Sequence, residues 1–147
     1  MHEPHARELD AAPVLALTVW QPWASAIAYG TKRIENRSWP TDHRGLVLIH
    51  AGRSLDPNAH DAPLARPFLR RPFPRGAVVA VALLDGCHPD DGYCTLWSAR
   101  ERWHWHLTAV TALARPLFWP GARGLWIPPS GLLASPLVAD ALEAARV

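Results

Sequence analysis

Long apolar runs are missing from this chain. The longest, Ala77 to Leu84, falls far short of the roughly 20 residues that cross a bilayer, so no membrane partner is expected. The N-terminal stretch MHEPHARELD has no apolar segment, which argues against a signal peptide. Cysteine is nearly absent: Cys87 and Cys94 alone cannot make a disulfide framework. These absences point to a reduced, soluble, cytoplasmic protein. No Walker loop, G-x-S-x-G elbow or dinucleotide fingerprint occurs. Lysine is the sharpest scarcity. Lys and Arg total 15, and Lys32 is the only lysine, which leaves 14 arginines. In a chain biased towards Arg, Ala and Pro, a residue that need only be positive can become Arg. Lys32 therefore stands out as a position that needs an amine, because an ammonium is compact and can lose its proton when desolvated.

What is present suffices for one domain. The 147 residues are 49% hydrophobic and 19% charged, which excludes a wholly disordered chain. Residues 1–13, with Pro4 and Pro13, read as a flexible tail, and 14–147 as a single domain. Val14 to Trp20 is β-branched and apolar, a strand entering the core. Pro22 suits the first turn of a short helix to Tyr29, which Gly30 ends in a left-handed conformation. Further strands are expected at Arg33–Arg37, Gly45–His50, Ala77–Leu84, Trp105–Ala114 and Gly124–Ile127. Asp85–Gly92 reads as turns and Ser98–Trp103 as a helical turn. Ser135-Pro136 starts a C-terminal helix. Residues 52–76 hold five prolines, five arginines and two acids, and read as an irregular connection with one helical turn near Asn58–Leu64. The pattern is that of a small barrel or mixed α+β domain, mainly β, rather than βαβ repeats.

Candidate chemistry concentrates in WQPWASAIAYGTKRIENRSW, Trp20 to Trp39. Lys32, Glu35 and Arg37 fall within six residues there. On a strand, Glu35 and Arg37 share one face and Ile34 and Asn36 the other, while Lys32 sits at the turn. A carboxylate beside an ammonium and a guanidinium can hold the cations for an anionic or carbonyl ligand. It can also form a proton-transfer pair with Lys32. The plainer reading is a surface salt-bridge cluster worth about 0–1 kcal/mol. Trp20, Trp23 and Trp39 flank the motif among eight tryptophans in all. An aromatic wall beside these charges suits a planar base. Arg66, Arg70, Arg71 and Arg75 lie in an acid-free stretch and are candidates for a phosphate-tracking arm. Cys87, His88, Cys94, His104 and His106 cluster in sequence, but six residues separate the two cysteines, not the two to four of a zinc knuckle. No metal ligand and no cofactor is assigned from the sequence.

The chain resembles the ASCH domain family, a branch of the PUA-like superfamily. The resemblance rests on LTVWQPWASAIAYGTKRIENRSW, RGLVLIH, RGAVVAVALL and PLFWPGARGLW, spread from about Leu15 to Ile127. It implies a PUA-like β-barrel with a short helix beside a cleft at Gly30–Arg37, and a role in binding RNA or other nucleic acid. His50 occupies the family's I-H position and is expected to line the cleft. Some small relatives are amidohydrolases that deacylate N4-acetylcytidine. Their reactive lysine lies two residues after the helix-ending glycine, which is Lys32 here. Their nucleophilic threonine lies three residues further on, where this chain has Glu35. The resulting expectation is an RNA or single-stranded nucleic-acid binder, or a receptor for a modified nucleoside. Trp23, Lys32, Glu35, Arg37, Trp39 and His50 are expected to contact the ligand. The alternative is a small metal-independent hydrolase, acting on acylated nucleosides or as a ribonuclease, with Lys32 and Glu35 catalytic.

Overall fold

The computed structural model describes residues 12–92 and 94–146, so residues 1–11 of the expected tail lie outside the described residues. Among the described residues, six strands form one mixed sheet: β1 (Leu15–Gln21), β2 (Ile34–Arg37), β3 (Gly45–Leu55), β4 (Ala77–His88), β5 (Trp103–Phe118) and β6 (Leu125–Trp126). Their order across the sheet is β2-β5-β4-β3-β1-β6. β1 runs parallel to β3, and the other pairs are antiparallel. The sheet curls into a half-barrel, and with its helices makes a mainly β, α+β architecture.

The curl has a visible cause in the β4–β5 ladder. Register breaks between Leu84 and Gly86, Val81 and Leu83, and Val78 and Ala80 each add residues to one strand. Such bulges bend a strand and sharpen its twist. Ala109 takes the positive φ of 47° at the middle one. The last accommodates Pro116, since Ala112 pairs with Ala80 but Leu117 pairs with Val78. β5 therefore runs through the proline to Phe118 rather than stopping at Ala114. β4 likewise continues through the expected turn region to His88. β3 extends past His50 to Leu55, where it pairs with Gln21 beyond a register break that leaves surplus residues in β3. Ser98–Trp103 is built of turns and bends leading into β5, not a helical turn.

Four short helices complete the fold of the described residues: α1 (Trp23–Tyr29), α2 (Arg66–Leu69), α3 (Ser130–Ala134) and α4 (Pro136–Arg146). Alternation along the strands sorts two cores. Leu17, Val19, Val47, Ile49 and Trp105 pack with Ala24 and Ile27 of α1 on one face. Ala16, Leu46, Leu48, Val78 and Val81 pack with Val138 and Leu142 of α4 on the other. The connection after β3 holds two 3-10 turns, Ala59–Asp61 and Pro63–Ala65, then α2. Among the described residues, no helix is long and apolar enough to cross a membrane.

Gly30 corrects one expectation. Its φ of −129° and ψ of −153° are extended, not left-handed. The glycine is required for a different reason. A Cβ there would lie 2.5 Å from Cζ of Phe68 and 2.8 Å from the Ala26 carbonyl. The helix end is closed instead by Arg33, whose Nη1 donates to the carbonyls of Ile27, Gly30 and Lys32.

Candidate functional site

The turn after α1 aims Lys32 inward. Its backbone N–H donates to the Ala26 carbonyl at 3.2 Å, and its side chain is only 2% exposed. Nζ donates to the Ile34 carbonyl and sits 3.7 Å from Oε1 of Glu35. Glu35, 7% exposed, takes the Arg37 Nη2 on its other oxygen at 3.0 Å. The backbone N–H of Asn36 also donates to Oε1. Glu35 and Arg37 thus share a strand face, and the carboxylate bridges two cations. Burial pushes the Lys32 pKa down, and the adjacent Glu35 carboxylate opposes that shift. This is a buried charge cluster and not the exposed salt bridge of the plainer reading.

Aromatic rings surround the ammonium. The Trp23 and Trp97 centroids lie 5.7 and 6.0 Å from Nζ, within cation–π range. Trp23 is held by a 2.8 Å hydrogen bond from its indole N–H to Asp56. Trp39 packs edge-on against the buried Trp105 at 4.8 Å, and the Trp105 indole donates to the Trp39 carbonyl. A cleft of about 650 Å³ opens over this group, lined by Trp20, Trp23, Lys32, Glu35, Arg37 and Trp39, with Asp56, Trp97 and Arg102 at its sides.

The structure thus brings together five of the sequence candidates: Trp23, Lys32, Glu35, Arg37 and Trp39. His50 lies elsewhere. It lines a neighbouring cleft of about 780 Å³ that shares Trp20, Arg37 and Trp39 with the first. Its ring is 2% exposed, 2.7 Å from the Trp119 carbonyl and edge-on to Trp126. A Cβ on Gly121 would come within 2.4 Å of it, so the loop closes over the imidazole. Burial lowers its pKa. Arg66, Arg70, Arg71 and Arg75 are exposed and line neither cleft. Trp97, Asp56 and Arg102 were not singled out by the sequence. They arrive from distant loops, Trp97 being placed by Asn36, whose side chain donates to the Trp97 carbonyl and accepts from the Ala99 N–H.

Comparison with known proteins agrees with this architecture. Residues 17–114 match the ASCH domain. Over 35 residues the chain is 57% identical to human activating signal cointegrator 1 and 54% identical to the mouse protein. That segment is 24% of this chain but spans only 6% of the length of those relatives. The crystal structure of a mutant ZmASCH protein from Zymomonas mobilis aligns with a TM-score of 0.52 at 14% identity, covering 82% of this chain and 92% of that one. With two thirds of its length matched to the domain and the same fold in a solved relative, the chain belongs to the ASCH family.

Proposed function

We propose that this ASCH domain binds single-stranded RNA by receiving one nucleobase in the cleft around Lys32, Glu35 and Arg37. One observation carries the reading: a cleft of about 650 Å³ places indole rings around a buried ammonium–carboxylate–guanidinium cluster. The volume falls within the ordinary range of small-ligand sites, about 300–1,000 Å³. Indole faces stack bases, and the polar cluster offers a carboxylate to a ring N–H or exocyclic amine and donors to a base carbonyl. Trp20 and Trp39, 52% and 39% exposed, extend the aromatic surface outward. The family's association with RNA supports the same choice, and a modified nucleoside suits the same groups. The four exposed arginines from Arg66 to Arg75 would add sequence-independent affinity along the backbone.

The test is fluorescence anisotropy with a short labelled single-stranded RNA. Trp97→Ala should weaken binding by roughly 1–3 kcal/mol, the usual worth of a stacked base. No binding at low salt by the wild type, or equal binding by the variant, refutes the assignment. A hydrolytic reading is favoured by one feature, the lowered pKa of Lys32, since a desolvated amine can move a proton. Incubation with N4-acetylcytidine and with the RNA, followed by product analysis, separates the two. Turnover lost in both Lys32→Ala and Glu35→Gln would make the cleft an active site.

A further inference from the structure

Where the β4–β5 ladder meets its connecting loop lies a second cluster of chemistry-bearing side chains. His88 of β4 and His104 of β5 are direct partners across the ladder. Cys94 reaches them from the loop that joins the two strands. One ligating atom from each of the three lies within 4.8 Å of the others. The Cys94 Sγ is 3.4 Å from Nδ1 of His104. A tetrahedral zinc with bonds of about 2.0–2.3 Å spaces its ligand atoms about 3.3–3.7 Å apart, so that pair already stands at ligand spacing.

The hydrogen bonds of the two imidazoles leave each with one free lone pair. The Nε2–H of His104 donates to the Ala99 carbonyl at 2.7 Å, which leaves the lone pair on Nδ1, the atom facing the thiol. The Nδ1–H of His88 donates to the Pro89 carbonyl at 2.7 Å, which leaves its lone pair on Nε2. Asp91 stands 3.6 Å from the same Nδ1. A ring nitrogen tied to a carbonyl or carboxylate is the usual outer support of a metal-binding histidine. Cys87 is excluded by strand parity. It pairs with Trp105 and packs on the opposite, core face. The cysteine spacing that fails the knuckle pattern is therefore irrelevant, because the three groups meet across a β-ladder and a loop.

We propose that His88, Cys94 and His104 bind a zinc ion, with the fourth position taken by water. Two imidazoles and one thiolate form a mixed nitrogen–sulfur set that suits this borderline ion. The ion would fasten the β4–β5 loop to the sheet. That loop carries Trp97, Ala99 and Arg102 to the wall of the cleft. Cys94 is exposed, which gives the ion a route in.

The experiment uses the full chain, stripped of metal and kept reduced, titrated with cobalt(II) and then displaced by zinc(II). The wild type should take up one equivalent of cobalt with a thiolate-to-metal charge-transfer band, bleached by zinc. Cys94→Ser should lose the band, and His88→Ala should weaken uptake by roughly 100-fold or more, beyond the loss of an outer-shell partner. Cys87→Ser should leave the titration unchanged. Cys94 is exposed and His88 and Cys87 are part-buried, so near-ultraviolet circular dichroism can confirm that the variants are folded. Zinc should also slow amide exchange between Thr95 and Arg102 in the wild type but not in Cys94→Ser. No stoichiometric uptake, or uptake whose band and exchange protection survive Cys94→Ser, overturns the assignment.

Discussion

Replacing Glu35 with Gln keeps the shape of the side chain and removes the charge that compensates Lys32. At the 3.7 Å separation of Nζ and Oε1, the lost attraction is about 4–5 kcal/mol for an effective dielectric near 20. Removing one partner of a buried pair usually costs about 3–5 kcal/mol, in line with that figure. Lys32 has an escape that Arg37 lacks: it can release its proton. Relative to an unfolded lysine pKa near 10.4, holding the amine neutral costs about 4.6 kcal/mol at pH 7 and about 1.9 kcal/mol at pH 9. The penalty of the variant on this amine is therefore capped lower as pH rises. The sign follows from proton counts. Burial lowers the folded pKa of Lys32, so between that value and the unfolded value the unfolded chain binds more protons, and stability climbs with pH. Losing Glu35 lowers the folded pKa further and widens that window. Urea unfolding at both pH values should give a destabilisation of about 3–5 kcal/mol at pH 7, smaller by about 1–3 kcal/mol at pH 9. The same loss at both pH values would show that Glu35 does not hold the charge on Lys32.

Gly30→Ala should destabilise by about 1–3 kcal/mol, because its Cβ would meet both Phe68 and the Ala26 backbone carbonyl; an unchanged thermal midpoint would mean that the α2 segment yields freely. Replacing Arg66, Arg70, Arg71 and Arg75 together with Ser should flatten the plot of log RNA affinity against log salt by roughly 1–3 units. An unchanged slope would make that segment a connector only. Gly121→Ala should also destabilise by about 1–3 kcal/mol through collision with the His50 ring, without altering affinity for RNA in the neighbouring cleft. A large affinity loss in a folded Gly121 variant would move the binding site towards His50.

Sequence reading succeeded where the relevant contacts are local. Lys32, Glu35 and Arg37 lie close in the chain, and the period of two along β2 alone puts the carboxylate and the guanidinium on one face. Trp23 sits at the start of α1, so its approach to Lys32 follows from the same short segment. Lys32 itself precedes the strand, where parity says nothing. Its direction is set by the hydrogen bond from its backbone to Ala26. β1 and the start of β4 were legible because both are dense in apolar and β-branched residues.

Contacts between distant segments were not legible. Pro116 ends an isolated strand pattern, yet a bulge against Val78 and Ala80 carries β5 past it. His50 stands at the expected motif position, but the β1–β3 pairing and the approach of Gly121 turn it away from the ammonium and into a neighbouring wall. Trp97 carries no motif at all. Its place depends on Asn36, 61 residues earlier, whose side chain lies on the strand face opposite Glu35 and grips the loop that brings the indole round to Lys32. One four-residue strand thus serves the cleft twice: Glu35 and Arg37 supply its charge directly, and Asn36 on the reverse side supplies one of its aromatic walls. A substitution at Asn36 would consequently act on binding by loosening the loop of Trp97 and Ala99, whereas one at Glu35 would strip the compensation from a buried cation.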